Sequence, residues 1–229
     1  MKDTDNETRK IRAVLFDLDG TLIDTEGQYS EVWGRIGRQY HPEMEDFAAH
    51  IKGLTLQRIL DTWFAEQATR EKVVEELYAF ERGMYFDFYP GAREFVAALR
   101  SGGTKCAVVT SSDRSKMDAM RRKVSDLDNL FDAIFTAEDF HRGKPDPDCY
   151  ITAAEAMECD REECVVVEDA PNGLEAGRNS GMFTIGKAGT LTLEQLLPLC
   201  DYAFSDYGEL TPELLQRIKD SNTQRHGKK

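Results

Sequence analysis

Short apolar runs that break off at polar or acidic residues recur along this chain, and stretches with helical periodicity lie between them. Residues 11–17 (Ile-Arg-Ala-Val-Leu-Phe-Asp) form the first run. Residues 104–110 and 163–168 repeat the pattern, and 132–136 and 182–186 are shorter versions. Such runs read as strands buried on both faces, the pattern of a parallel sheet. Helical patterns cover 91–101, 112–125, 147–158 and 171–180. Parallel strands need crossovers, and a helix is the usual one. The alternation therefore predicts an α/β fold with a parallel sheet covered on both faces.

One segment departs from the alternation. Residues 26–86 hold no strand-like run, whereas 30–36, 57–64 and 71–78 carry helical periodicity. A helical module over 25–87 is thus expected to interrupt the sheet-forming core just after its first strand. The core would comprise 11–24 and 88–220. Tyr89-Pro90-Gly91 marks the return to it, because proline and glycine punctuate regular structure. Residues 1–10 and 221–229 are polar and read as flexible tails.

Composition narrows the partners. Of 229 residues, 42 are acidic and 29 basic, a formal net charge of −13. A nucleic-acid binder needs a basic face, so no nucleic acid is expected as partner. No segment has the apolar length to span a bilayer, and Met1 to Lys10 has no apolar signal region, so no membrane partner is expected. The cysteines (106, 149, 159, 164 and 200) are odd in number and form no Cys-x-x-Cys pair. They read as reduced thiols of a cytoplasmic protein. The polar composition makes a monomer the default.

In an open parallel sheet, ligands bind beyond the carboxyl ends of the strands. The first run ends at Asp17, followed by Asp19. The second ends at Thr110-Ser111-Ser112, and the fourth at Glu168-Asp169. Lys144 lies in a loop, Gly143-Lys144-Pro145-Asp146-Pro147, ahead of a helix. These residue types suit phosphoryl transfer. A carboxylate can act as nucleophile and split one hard step into two. Mg²⁺ takes oxygen ligands and offsets the repulsion between an anionic nucleophile and an anionic phosphate. Thr110, Ser111 and Lys144 could hold the remaining phosphate oxygens. Asp19 is placed to protonate the leaving oxygen and then activate water.

Four segments carry a resemblance. They are Phe16-Asp17-Leu18-Asp19-Gly20-Thr21-Leu22, Val109-Thr110-Ser111-Ser112, Gly143-Lys144-Pro145-Asp146-Pro147 and Val167-Glu168-Asp169-Ala170-Pro171-Asn172-Gly173. In this order they resemble the motifs of the haloacid dehalogenase-like hydrolase superfamily, over residues 11 to about 205. The helical insertion resembles the α-helical cap of its β-phosphoglucomutase-like phosphatase group. The resemblance implies a Rossmann-like core with an inserted cap, Asp17 as nucleophile and Asp19 as acid and base. It implies Thr110 and Lys144 as phosphate ligands. It places Mg²⁺ at Asp17, Glu168, Asp169 and the backbone carbonyl of Asp19.

Departures from the pattern choose among members. Dehalogenases and phosphonatases of the superfamily lack the second aspartate of the first motif, and Asp19 is present here. Ile51-Lys52-Gly53-Leu54-Thr55 matches the substrate loop of the β-phosphoglucomutases, but Leu56 stands where they carry arginine. Tyr29 stands where they carry histidine. Hydrolysis of a small phosphorylated metabolite, such as a sugar phosphate, is therefore expected over a mutase reaction. A non-catalytic phosphate-binding protein of the same fold is the rival reading from another class.

Other features read as structure. Asn172 is taken as first-turn helix, Gly186-Lys187-Ala188-Gly189 as a plain connection, and Trp33 and Trp63 as packing within the cap. Lys52 and Arg58 divide between substrate contact and a solvated surface. His41, His50, His141 and His226 have no metal-ligand spacing.

Overall fold

A computed structural model describes residues 9–52 and 54–226. The chain enters the sheet at β1 (Ala13–Phe16) and leaves it for four helices: α1 (Glu26–Tyr40), α2 (Phe47–Ile51), α3 (Leu56–Trp63) and α4 (Gln67–Gly83). It returns through α5 (Ala92–Ser101), β2 (Lys105–Val109), α6 (Arg114–Lys123), α7 (Leu127–Leu130) and β3 (Ala133–Phe135). Next come α8 (Asp148–Ala156), β4 (Cys164–Glu168), α9 (Pro171–Asn179), β5 (Phe183–Lys187), α10 (Leu193–Leu196), β6 (Tyr202–Phe204) and α11 (Pro212–His226).

Among the described residues the strands make one parallel six-stranded sheet in the order β3-β2-β1-β4-β5-β6. The order reverses between β1 and β4, which opens a crevice at their carboxyl ends. Side chains alternate across β1. Val14 and Phe16 join the apolar layer under α5 and α11, while Ala13 and Leu15 join the layer under α8. All four are fully buried, as expected of a central parallel strand.

The inserted helices have an apolar cluster of their own. Val32, Trp33, Ile36, Phe47, Ile51, Phe64, Val73 and Leu77 are buried against one another, with Trp63 packed at the edge. Phe47 lies within ring contact of Trp33, Trp63, Phe64 and His41. Polar ties join this layer to the sheet. Asn172 Nδ2 donates to the Lys52 carbonyl at 3.0 Å, and the Tyr78 hydroxyl donates to Asp113 at 2.8 Å.

Several sequence expectations need correction. The edge strand β6 is absent from the sequence reading, because three residues cannot show a period by themselves; pairing with β5 creates the strand. Helix α2 was also invisible, being held by contact with α1 rather than by its own length. Gly186 and Lys187 are the end of β5, not a connection. Residues 1–8, Gly53 and 227–229 lie outside the described residues. Residues 221–226 belong to α11 and are helix rather than tail, and Arg9 pairs with Asp160 at 2.5 Å.

Candidate active site

The carboxyl end of β1 delivers Asp17 into the crevice, and its N–H continues the ladder to the Val167 carbonyl at 2.9 Å. The chain then turns sharply at Gly20, whose φ is +79°. A Cβ there would sit 2.2 Å from Asp169 Oδ2, so glycine is required by both conformation and space. Asp169 arrives from the end of β4. It accepts hydrogen bonds from the Thr21 hydroxyl at 3.0 Å and from the Thr190 hydroxyl.

Lys144 lies beneath this cluster and is 1% exposed. Its ammonium donates to Asp17 Oδ1 at 2.5 Å, Glu168 Oε1 at 2.7 Å and the Val109 carbonyl at 3.1 Å. Those three partners match the three protons it has to give. Glu168 is equally engaged. Its Oε1 also accepts from the Tyr150 hydroxyl, and its Oε2 accepts from the N–H groups of Asp169 and Ala170. A Cβ on Gly173 would fall 1.6 Å from Glu168 Oε1, so the helix after β4 needs glycine to let the carboxylate lie against it.

Asp17, Glu168 and Asp169 each present a carboxylate oxygen within 4.8 Å of the others, and all three are buried. Lys144 pairs with two of the three carboxylates, Asp17 and Glu168. Burial pushes Asp17 well above the usual carboxylate range; Lys144 pulls it back, while Glu168 and Asp169 add repulsion. Burial, then repulsion from Glu168 and Glu26, pushes Asp169 up to about 8. Burial alone would lower Lys144, but Asp17 and Glu168 hold it well above its ordinary value. A hard divalent cation fits this donor set, because it would supply the positive charge that Lys144 alone does not. Asp17 and Asp169 are the members with the most ligand capacity remaining, since Glu168 already accepts from Lys144, Tyr150 and two backbone N–H groups, whereas Asp169 accepts from two hydroxyls and Asp17 from Lys144.

Asp19 belongs to a separate network. It accepts from Lys116 Nζ at 2.5 Å, Thr25 Oγ1 at 2.5 Å and Ser112 Oγ at 3.0 Å. Burial alone would raise its pKa. The Lys116 charge and the three hydrogen bonds outweigh burial and hold it below the ordinary value. Lys116 is itself 2% exposed and sits 4.5 Å from the centre of the Tyr29 ring.

A cavity of about 840 Å³ separates the sheet end from the inserted helices. Asp17, Asp19, Thr110, Ser111, Glu168 and Asp169 line it from below; Tyr29, Trp33, Lys52 and Glu81 line it from above. Six of the seven residues singled out from the sequence thus share one cavity. Lys144 does not line it, being covered by the carboxylates it binds. The Thr110 hydroxyl accepts the Ser112 N–H at 3.0 Å, so it also orders the turn after β2. Arg58 reaches the Lys144 carbonyl at 3.5 Å and so bridges the two layers, while Lys52 pairs with Glu26 within the inserted helices.

Lys116, Thr25, Tyr150, Thr190 and Glu81 escaped the sequence reading. Only Lys116 left a signal. It lies four residues after Ser112 and directly before Met117, so it is a charged residue next to the apolar stripe of a helix.

A family model described as haloacid dehalogenase-like hydrolase matches residues 11–181. The validoxylamine A 7′-phosphate phosphatase of Streptomyces hygroscopicus subsp. limoneus is 31% identical over 199 residues, covering 81% of this chain and 89% of that protein. The phosphorylated carbohydrates phosphatase of Thermotoga maritima is 30% identical over 187 residues, covering 76% and 84%. The crystal structure of a HAD hydrolase, family IA, variant 3, from Entamoeba histolytica superposes with a TM-score of 0.79. It is 24% identical and covers 92% of this chain and 100% of that one, a likeness of fold.

Proposed function

The chain belongs to the haloacid dehalogenase-like hydrolases, and from that premise we propose that it is a Mg²⁺-dependent phosphatase of small phosphate monoesters, sugar phosphates among them. One observation carries the reading: the buried set of Asp17, Glu168 and Asp169, the first two bound to Lys144, opening on the same cavity as Asp19.

Asp17 attacks phosphorus and forms an aspartyl-phosphate as the ester P–O bond breaks. Asp17, Asp169, Glu168 and the Asp19 carbonyl would hold Mg²⁺, which would supply Lewis-acid charge stabilisation there. Thr110 and Ser111 hold phosphate oxygens. Lys144 orients Asp17 and opposes the rise in its pKa that burial causes. Asp19 gives a proton to the leaving oxygen, and then takes one from the water that cleaves the aspartyl-phosphate. The network of Lys116, Thr25 and Ser112 favours the ionised form of Asp19, which suits that second step. The acid step requires Asp19 to leave Lys116 and gain a proton. Acid–base help of this kind contributes roughly 10²–10⁴ in rate. The inserted helices act as a cap that excludes water during the first step.

The reading includes a monomer acting in the cytoplasm. Among the described residues the exposed large hydrophobics are Tyr85, Leu193 and Leu197, too few for an apolar interface, and no helix is long and apolar enough to cross a membrane.

Purified protein with Mg²⁺ and p-nitrophenyl phosphate provides the test. Phosphate release that disappears in Asp17→Asn and in EDTA is the expected result. No release, or full activity in Asp17→Asn, refutes the proposal. Interconversion of phosphosugar isomers without loss of ester would favour a mutase, against which Tyr29 and Leu56 speak. A rise in melting temperature with phosphate and Mg²⁺ but no turnover would favour a non-catalytic binder.

A further inference from the structure

The cavity roof holds a side chain that the chemistry above leaves unused. Glu81, in α4, is 5% exposed and lines the cavity. Its Oε1 accepts from the Tyr29 hydroxyl at 2.8 Å, while Oε2 is buried with no hydrogen-bond partner. An unpartnered buried carboxylate oxygen is costly, so a residue kept in that state is one expected to meet a ligand. Its location says which part of the ligand. Tyr29 connects Glu81 to Lys116 through the ring face, and Lys116 pairs with Asp19. Glu81 therefore stands on the Asp19 side of the cavity, where the leaving group must lie.

The charge of the walls limits what that leaving group can be. Away from the three carboxylates around Lys144, the cavity is lined by Asp19, Glu26, Glu45, Asp46, Glu81 and Asp113. Its lysines are committed, Lys52 to Glu26 and Lys116 to Asp19, and Arg38 is on the exposed face of α1. With those two ion pairs set aside, Glu45, Asp46, Glu81 and Asp113 stand against Arg38, so a carboxylate or a second phosphate on the leaving group would still meet mostly like charge.

Resting on the phosphatase reading, we propose that Glu81, anchored by Tyr29, is a specificity-determining residue that takes a hydroxyl of an uncharged, polyhydroxylated leaving group, and that the acidic walls discriminate against anionic ones. Burial pushes Glu81 up to about 7, despite the opposing Lys116 charge, so near neutral pH both protonation forms are present. A hydroxyl suits either, because it both donates and accepts. Sites built to pair with a substrate hydroxyl discriminate strongly, because an analogue without it leaves the site's own buried polar group unpaired.

The test compares sorbitol 6-phosphate, 6-phosphogluconate and p-nitrophenyl phosphate on the full chain with Mg²⁺. The first two differ at one carbon, a hydroxymethyl against a carboxylate, and the third brings no hydroxyl. The wild type should prefer sorbitol 6-phosphate over 6-phosphogluconate by at least about tenfold in kcat/KM. In the near-isosteric Glu81→Gln, that preference should narrow. In Glu81→Leu, the kcat/KM ratio of sorbitol 6-phosphate to p-nitrophenyl phosphate should fall about tenfold, mainly through KM. Tyr29→Phe, which keeps the carboxylate but removes its anchor, should lower the same ratio by a smaller factor. Unchanged ratios in Glu81→Gln and Glu81→Leu, or a wild-type preference for 6-phosphogluconate, would overturn the assignment. A wild type that turns over none of the three would instead refute the phosphatase reading on which it rests.

Discussion

The metal-free protein should lose stability as pH rises from about 4 to about 8, and Mg²⁺ should reduce that loss. One cause is Asp169, which is 1% exposed; burial, then Glu168 and Glu26, lift it from 3.8 to about 8. Between those values the folded state keeps a proton that the unfolded chain has released. The sign follows from linkage. Stability from this group is fully present below about pH 4 and is lost as pH rises through about 8. At about 1.4 kcal/mol per pH unit, the whole interval has an upper limit on the order of 6 kcal/mol, and the span from pH 5 to pH 8 about 4. Relaxation and water entry around a buried charge reduce this to about 2 kcal/mol. For a chain of this size that is a fall in Tm of about 4–8 °C. Asp17, pushed up by burial, and Glu81, lifted from 4.5 to about 7, act in the same direction within this window, whereas carboxylates held below their ordinary values, such as Asp132 and Asp139, change protonation below about pH 4 and stay outside it. The assay is a thermal melt in EDTA from pH 5 to pH 8, repeated with excess Mg²⁺. Asp169→Asn in EDTA should show a shallower profile, with the remaining slope carried by Asp17 and Glu81. Equal melting temperatures at pH 5 and pH 8 in EDTA, or a wild-type slope in Asp169→Asn, would refute the reasoning.

Three further outcomes follow from single contacts. Lys116→Met breaks the buried pair with Asp19, whose side chain is 20% exposed; discounting for that exposure, the loss is about 2 kcal/mol at pH 7. Because Asp19 is held below its ordinary value, the deficit should be full above about pH 4 and vanish as pH falls below it, in paired thermal melts. Gly173→Ala should cut phosphate release at least about tenfold, since the new Cβ would displace Glu168, even though alanine is the better helix former by about 1 kcal/mol. Phe47→Ala opens a cavity among Trp33, Trp63 and Phe64 and should cost about 3–5 kcal/mol, read by urea unfolding.

The α/β architecture was legible in the chain because its determinants are local. A buried parallel strand needs a short continuous apolar run, and β1, β2 and β4 each show one in full. The positions of Asp17, Asp19, Glu168 and Asp169 were legible for the same reason, since a strand end is a place in sequence before it is a place in space. Gly20 and Gly173 were visible as motif members, but the reason for them was not. Each makes room for a carboxylate carried by β4, and for Gly20 that carboxylate belongs to a residue 149 positions away.

What the tertiary structure alone decided is the partner of each buried charge. Lys144 divides its three protons among Asp17, Glu168 and a backbone carbonyl. Lys116 reaches across 97 residues to Asp19. Glu81 is left with an oxygen that no described residue satisfies. Periodicity and motif spacing report which side chains stand at the strand ends, because backbone geometry repeats along the chain. They cannot report which helix packs over those ends, and in a low-dielectric crevice that packing decides the electrostatics.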